Sequence, residues 1–192
     1  MKKSIVLFSL LFSSIFTYGQ KNEFNLIKLD STWGQEVLRF PARNMNYIGV
    51  GEVRFPPNGW INPAHKNFWS YTYAWKINVQ RKITEKELAL DLVKYFNSLN
   101  NVDMDSRKDT RYTSATVTKI ERINATTIFT GKVKIFDRFA TNRQVILNVF
   151  IESRYCKKEK STVLLFKFSP KGFEHKTWKM LEKVKLLSDA CN

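Results

Sequence analysis

Histidine and cysteine are scarce in this 192-residue chain: His65, His175, Cys156 and Cys191 are all there is, and their spacing matches no zinc or iron–sulfur site. Glycine is thin as well, with seven residues, and neither a glycine-rich phosphate loop nor a dinucleotide fingerprint occurs. No serine stands in a Gly-x-Ser-x-Gly elbow. Internal repeats, low-complexity tracts and Pro/Gly/Ser-rich linkers are missing too, so nothing divides the chain. Acidic side chains are few, 17 Asp and Glu against 32 Lys and Arg. These absences remove structural metals, nucleotide-cofactor folds and the α/β-hydrolase pattern, and no cofactor is expected.

What is present begins with an address. Lys2 and Lys3 precede an apolar run from Ile5 to Phe16, and Thr17 and Gly19 supply the small residues of a signal-peptidase site. The pattern predicts export with cleavage before Gln20. The apolar run is too short for a membrane span, which needs about twenty residues, and no cysteine follows it to carry a lipid. The expected organisation is a signal peptide over 1–19 and a single domain over 20–192, long enough for one hydrophobic core. Export implies a periplasmic or secreted protein of bacterial type.

The basic excess is uneven. Residues 21–110 hold 13 basic and 10 acidic side chains, whereas 111–192 hold 17 and 7. Inside a cell such an excess points to nucleic acid through counterion release, but export turns the expectation to anionic envelope polymers or to a merely soluble surface.

The second half is the more regular. Thr84 with Glu87 forms a capping box, and Leu88, Leu92, Phe96 and Leu99 recur at helical spacing, which predicts a helix over Thr84–Leu99. Four strands follow, Ser114–Ile123, Thr126–Phe139, Gln144–Cys156 and Ser161–Ser169, joined by breaks short enough for hairpins. Pro170 and Gly172 end the last strand. His175–Leu187 reads as a closing helix with Trp178, Leu181, Val184 and Leu187 inward and Lys176, Lys179 and Lys183 outward. In an exported chain Cys156 and Cys191 either pair, stapling the C-terminal segment to the sheet, or remain two thiols. The expected fold class is α+β: an antiparallel β-meander sheet of five or six strands with two main helices packed on one face.

The first half is less regular and carries most of the tryptophan. Read as a strand, Phe68–Val79 sends Trp69, Tyr71, Tyr73 and Trp75 to one face, either as core beneath the Thr84 helix or as a stacking surface for a ligand. Trp60 stands in Pro56-Pro57-Asn58-Gly59-Trp60-Ile61-Asn62-Pro63, a turn-rich loop that predicts an exposed aromatic ready to meet a ligand. Glu52, Arg54 and His65 complete the candidate ligand-binding set. Glu52 is open to two readings, a carboxylate in an ion pair with Arg54 or the acid of a hydrolase working with His65.

Several short segments carry a resemblance. Arg39-Phe40-Pro41, Gly51-Glu52-Val53-Arg54-Phe55-Pro56-Pro57, Phe68-Trp69-Ser70-Tyr71 with Trp75, and Ser169-Pro170 with His175 and Trp178 are similar to the signatures of an uncharacterised family of exported bacterial proteins. The resemblance implies a one-domain exported protein and transfers no activity, cofactor or site residue. The leading expectation is a non-catalytic module binding a glycan or an apolar small molecule at Trp60. The alternatives are an exported hydrolase and a structural envelope component holding anionic polymers. Nucleic acid is not expected as a partner.

Overall fold

The computed structural model describes residues 25–29, 31–40 and 45–191, so the expected signal segment and its expected cleavage point lie outside the described residues. In chain order the elements are β1 (Ile27–Lys28), β2 (Gly34–Phe40), β3 (Gly49–Phe55), β4 (Tyr71–Ile77), α1 (Glu85–Leu99), β5 (Ser114–Ile123), β6 (Thr126–Asp137), β7 (Arg143–Cys156), β8 (Ser161–Ser169), α2 (Lys176–Glu182) and β9 (Lys185–Leu186). Seven of the strands form one antiparallel sheet in the order β2-β3-β4-β8-β7-β6-β5, and β1 pairs with β9 beside it. The class is α+β.

Two meanders build the sheet. β5 to β8 run as consecutive hairpins whose turns place Asn124, Asn142 and Lys160 at positive φ, a conformation that asparagine tolerates better than most residues. β2 to β4 form the other meander, and β8 joins the two by pairing with β4 along its length. β8 is therefore central, and all nine of its residues are buried. The chain passes from β4 to the far edge strand β5 through α1, which consequently crosses one face of the sheet.

That inner face is the main core. Cross-strand partners share a face, so Val53, Tyr73, Phe166, Ile151 and Phe129 form one row, and Leu88, Leu92 and Phe96 of α1 pack onto it. Tyr71, Tyr73 and Trp75 belong to this core, as does Trp69, so the aromatic ladder is buried beneath α1 and not laid open on the surface. Gly51 is needed here because the Tyr73 ring occupies the place of any Cβ. The Thr84 side chain accepts from the Glu87 amide, and the Glu87 carboxylate accepts from the Thr84 amide at 2.9 Å, closing the capping box. Hydrogen bonds from Arg81 hold the Glu87 carboxyl down to about 2, against the effect of burial.

The outer face is built differently. Ala74, Val163 and Leu165 lie under Trp178, Leu181 and Val184, together with Leu26 and Ile27. Cys156 and Cys191 are joined by a disulfide at the edge of this cluster, with Cα atoms 5.2 Å apart.

Three expectations are corrected. The main sheet has seven strands, not five or six, because β2 and β3 lack clear alternation: β3 is buried on both faces over Gly51–Arg54. The two helices cover opposite faces, since α1 packs against Tyr73 and Trp75 while α2 packs against Ala74 between them. The closing helix ends at Glu182 and not at Leu187, because Lys185 and Leu186 leave it to satisfy the backbone of Ile27 and Lys28.

Candidate functional site

The loop between β3 and β4 is a chain of tight turns. Asn62 N donates to Gly59 O at 3.1 Å, His65 N to Asn62 O at 2.9 Å, Phe68 N to His65 O at 3.1 Å and Ser70 N to Asn67 O at 2.9 Å. Gly59 takes φ +79°, and a side chain there would collide with the His65 ring. His65 Nδ1 accepts from Asn67 N at 3.1 Å, so this histidine serves the loop's own backbone. Closing the loop, Trp69 N donates to Trp60 O at 2.7 Å, and Trp69 is held at φ +48°. A bulky non-glycine residue in the left-handed region costs of order 1–3 kcal/mol and persists only where its surroundings impose it. This is also why β4 begins at Tyr71 and not at Phe68.

The loop folds over the inner face and leaves a cavity of about 420 Å³, within the usual range for small-ligand sites. Six rings wall it: Phe55, Trp60, Trp69, Tyr71, Tyr95 and Phe139. Trp60 is half-buried rather than exposed, because it stacks on Phe55 with centroids 4.5 Å apart, meets Trp69 edge-on at 6.3 Å and lies 6.1 Å from Phe139. Phe139 is 49% exposed at the mouth. Its turn is set by Asp137, whose Oδ1 accepts from Phe139 N at 3.0 Å and whose Oδ2 accepts from Thr141 N at 2.9 Å and Thr141 Oγ1 at 2.7 Å. Among the described residues the solvent-exposed Glu36 of β2 supplies the only charge in the lining.

The phenols in this wall keep their protons at any ordinary pH, so each can donate a hydrogen bond. Burial pushes both Tyr71 and Tyr95 well above the usual phenol range, and the two hydroxyls influence one another. Tyr71 Oη is buried without a hydrogen-bond partner of ordinary geometry, an arrangement that native interiors seldom leave.

The remaining candidates lie elsewhere. Glu52 pairs across the sheet with Ala74, and Arg54 with Thr72, which puts both on the outer face, opposite the cavity. Glu52 is fully buried and accepts from Leu26 N, from Ile27 N at 3.0 Å, from Gln35 Nε2 at 3.2 Å and from Arg54 Nε at 2.5 Å. Four donors around one carboxylate satisfy the charge that burial would otherwise penalise. The arrangement ties the β1 backbone to β3. Of the four candidate residues, therefore, Trp60 and His65 share the loop while Glu52 and Arg54 share an internal ion pair. Glu36, Tyr95 and Phe139 were not singled out by sequence, since only the β2 pairing, the helix crossing and the β6–β7 turn bring them to the loop.

Compared with known proteins, the chain matches no family model, no curated protein and no solved structure. Among the described residues no group of three or more His, Cys, Asp or Glu could hold a metal ion, and no helix is long and apolar enough to cross a membrane.

Proposed function

We propose that the protein is an exported, non-catalytic ligand-binding module whose ligand enters the aromatic cavity beneath the Trp60 loop. The supporting observation is the wall of six rings with one carboxylate at its rim. Rings in this number offer flat apolar area, and few polar groups then set orientation. The matching ligand has an apolar face and a small number of hydroxyls: a glycan resting one sugar face against the aromatic wall with a hydroxyl on Glu36, or an apolar small molecule of similar outline. The positive φ of Trp69 fits a loop held in one shape for binding.

The test is thermal shift of the protein against neutral oligosaccharides, aromatic small molecules and polyanions at low and moderate salt. A rise in melting temperature with a neutral ligand that survives salt is expected, and Glu36→Gln should diminish it without changing the melting of the free protein. Trp60→Ala is the harsher variant, because it also removes the stack on Phe55 and lowers melting. No shift with any neutral ligand, or shifts from polyanions alone that salt removes, would overturn the reading.

A further inference from the structure

The outer face carries a second opening that the proposed function does not use. α2 and the β1–β9 pair cover β4 and β8, and beyond them lies a groove of about 510 Å³ over β7, β6 and β5. One wall is Phe173 and Trp178 with Lys185; the other is Ile120, Ile123 and Ile128. Ile120 and Ile123 are 57% and 52% exposed and Phe173 is 43% exposed. Consecutive residues of a strand ordinarily point to opposite faces, yet both Ile120 and Glu121 line this groove. The cause is the irregularity between Lys119 and Glu121, where β5 slips against β6.

A charged pair stands at the base of this apolar trough. Lys167 is 2% exposed and its Nζ donates to Glu152 Oε1 at 3.1 Å, while it lies 5.5 Å from the centre of the Phe150 ring. An ammonium has three donors, and Glu152 takes one. Burial lowers the Lys167 pKa and the Glu152 carboxylate works against that fall, so the two charges hold each other in place. Among the described residues the groove has Glu121, Glu152 and Glu182 against Lys167 and Lys185. A carboxylate or phosphate head would meet an acidic surplus, and a cationic head would meet the Lys167 ammonium. An uncharged hydroxyl suits both partners, accepting from Lys167 and donating to Glu152.

We propose that this groove binds an elongated apolar molecule ending in an uncharged hydroxyl, with its chain along Ile120, Ile123 and Phe173 and its head on the Lys167–Glu152 pair. The site is separate from the Trp60 cavity, which opens on the other face of the sheet.

The experiment is calorimetric titration of the protein with 1-decanol, decanoate and decylammonium, each below the concentration at which it self-associates. Decanol should bind with one-to-one stoichiometry and at least about ten-fold more tightly than either charged chain, the ratio expected when one buried hydrogen-bond pair is matched or mismatched. Ile120→Asp and Ile123→Asp, at exposed positions, should remove decanol binding while leaving the melting temperature unchanged. The Lys167→Met, Glu152→Met double variant keeps the groove apolar and should weaken decanol binding by about ten-fold, since the hydroxyl then loses both of its partners. Equal affinity of the three chains for the unaltered protein would overturn the proposal, as would decanol binding untouched by the two Ile→Asp changes. Sedimentation showing a dimer that Ile120→Asp dissociates would overturn it as well, because a second copy would then be the occupant.

Discussion

The two faces of the sheet are held by different means. On the inner face α1 lies over a layer of large rings, and stability comes from apolar area and close packing, with Trp75, Tyr73, Phe166 and Phe168 almost wholly removed from water. The outer face has a shorter helix, a two-residue strand pair, a disulfide and a fully buried carboxylate collecting backbone amides. Where a face can be covered by a fifteen-residue amphipathic helix, packing suffices. Where the cover is small, covalent and charged ties replace it. Each face then leaves a cavity of its own character, aromatic within and a mixed apolar trough with a charged floor without.

The difference can be broken most severely from inside. Trp75→Ala removes the ring that packs against Phe40, Tyr73 and Phe166 and should cost about 4–5 kcal/mol in urea unfolding, near the upper end for aromatic truncations. On the outer face, replacing both Cys156 and Cys191 by Ser reopens a loop spanning 35 residues and should cost about 3–4 kcal/mol in the chain-entropy account. Hydrogen exchange would sharpen the contrast: the amides of Ile27 and Leu186 should lose protection in that variant while those of β4 and α1 keep theirs.

A smaller effect concerns pH. Asp91 of α1 accepts from Tyr47 Oη at 2.6 Å, and burial pushes its carboxyl up to about 6, with Glu87 adding to the rise and the Tyr47 hydroxyl and Lys94 opposing it. A raised folded pKa means that the folded state holds the proton more tightly. Its contribution is complete below about pH 4, where the unfolded carboxyl titrates, and is lost as pH rises through 6. Asp91→Asn removes this loss, so relative to the unaltered protein the variant should gain roughly 2–3 kcal/mol between pH 4 and pH 7.5. Equal pH slopes for the two proteins would show that Asp91 does not titrate this way. Smallest is the helix cap: Thr84→Ala should cost about 1 kcal/mol, detectable as a lower melting temperature with the outer-face amides unaffected.

Local chemistry was readable where one element decides its own shape. The capping box at Thr84 and Glu87, the apolar spacing behind it and the hairpin breaks of the second half all correspond to observed elements. Position in the fold was another matter. β3 is covered from both sides, so Gly49–Phe55 has no alternation to read, and β9 exists only because β1 lies beside it. Helical periodicity in α1 and α2 says which stripe is buried and nothing about which side of the sheet receives it. The site divides the same way. Turn-forming residues pointed to the Trp60 loop, whereas Tyr95 and Phe139 come from elements far away in sequence, and Trp60 itself is half-covered because Phe55 and Trp69 close on it.

The place of β8 in the sheet also sets how far apart in sequence its contacts lie. Until Ser161–Ser169 is available, the meander of β2, β3 and β4 and the hairpins of β5, β6 and β7 are two ribbons with no strand between them. Every contact joining them spans much of the chain, so closure pays a large loop entropy before it gains burial, and such topologies fold in milliseconds to seconds rather than microseconds. Without β8 the ribbons would present open edges at β4 and at β7, and the disulfide from Cys156, the last residue of β7, ties that edge of the sheet to the C-terminal segment.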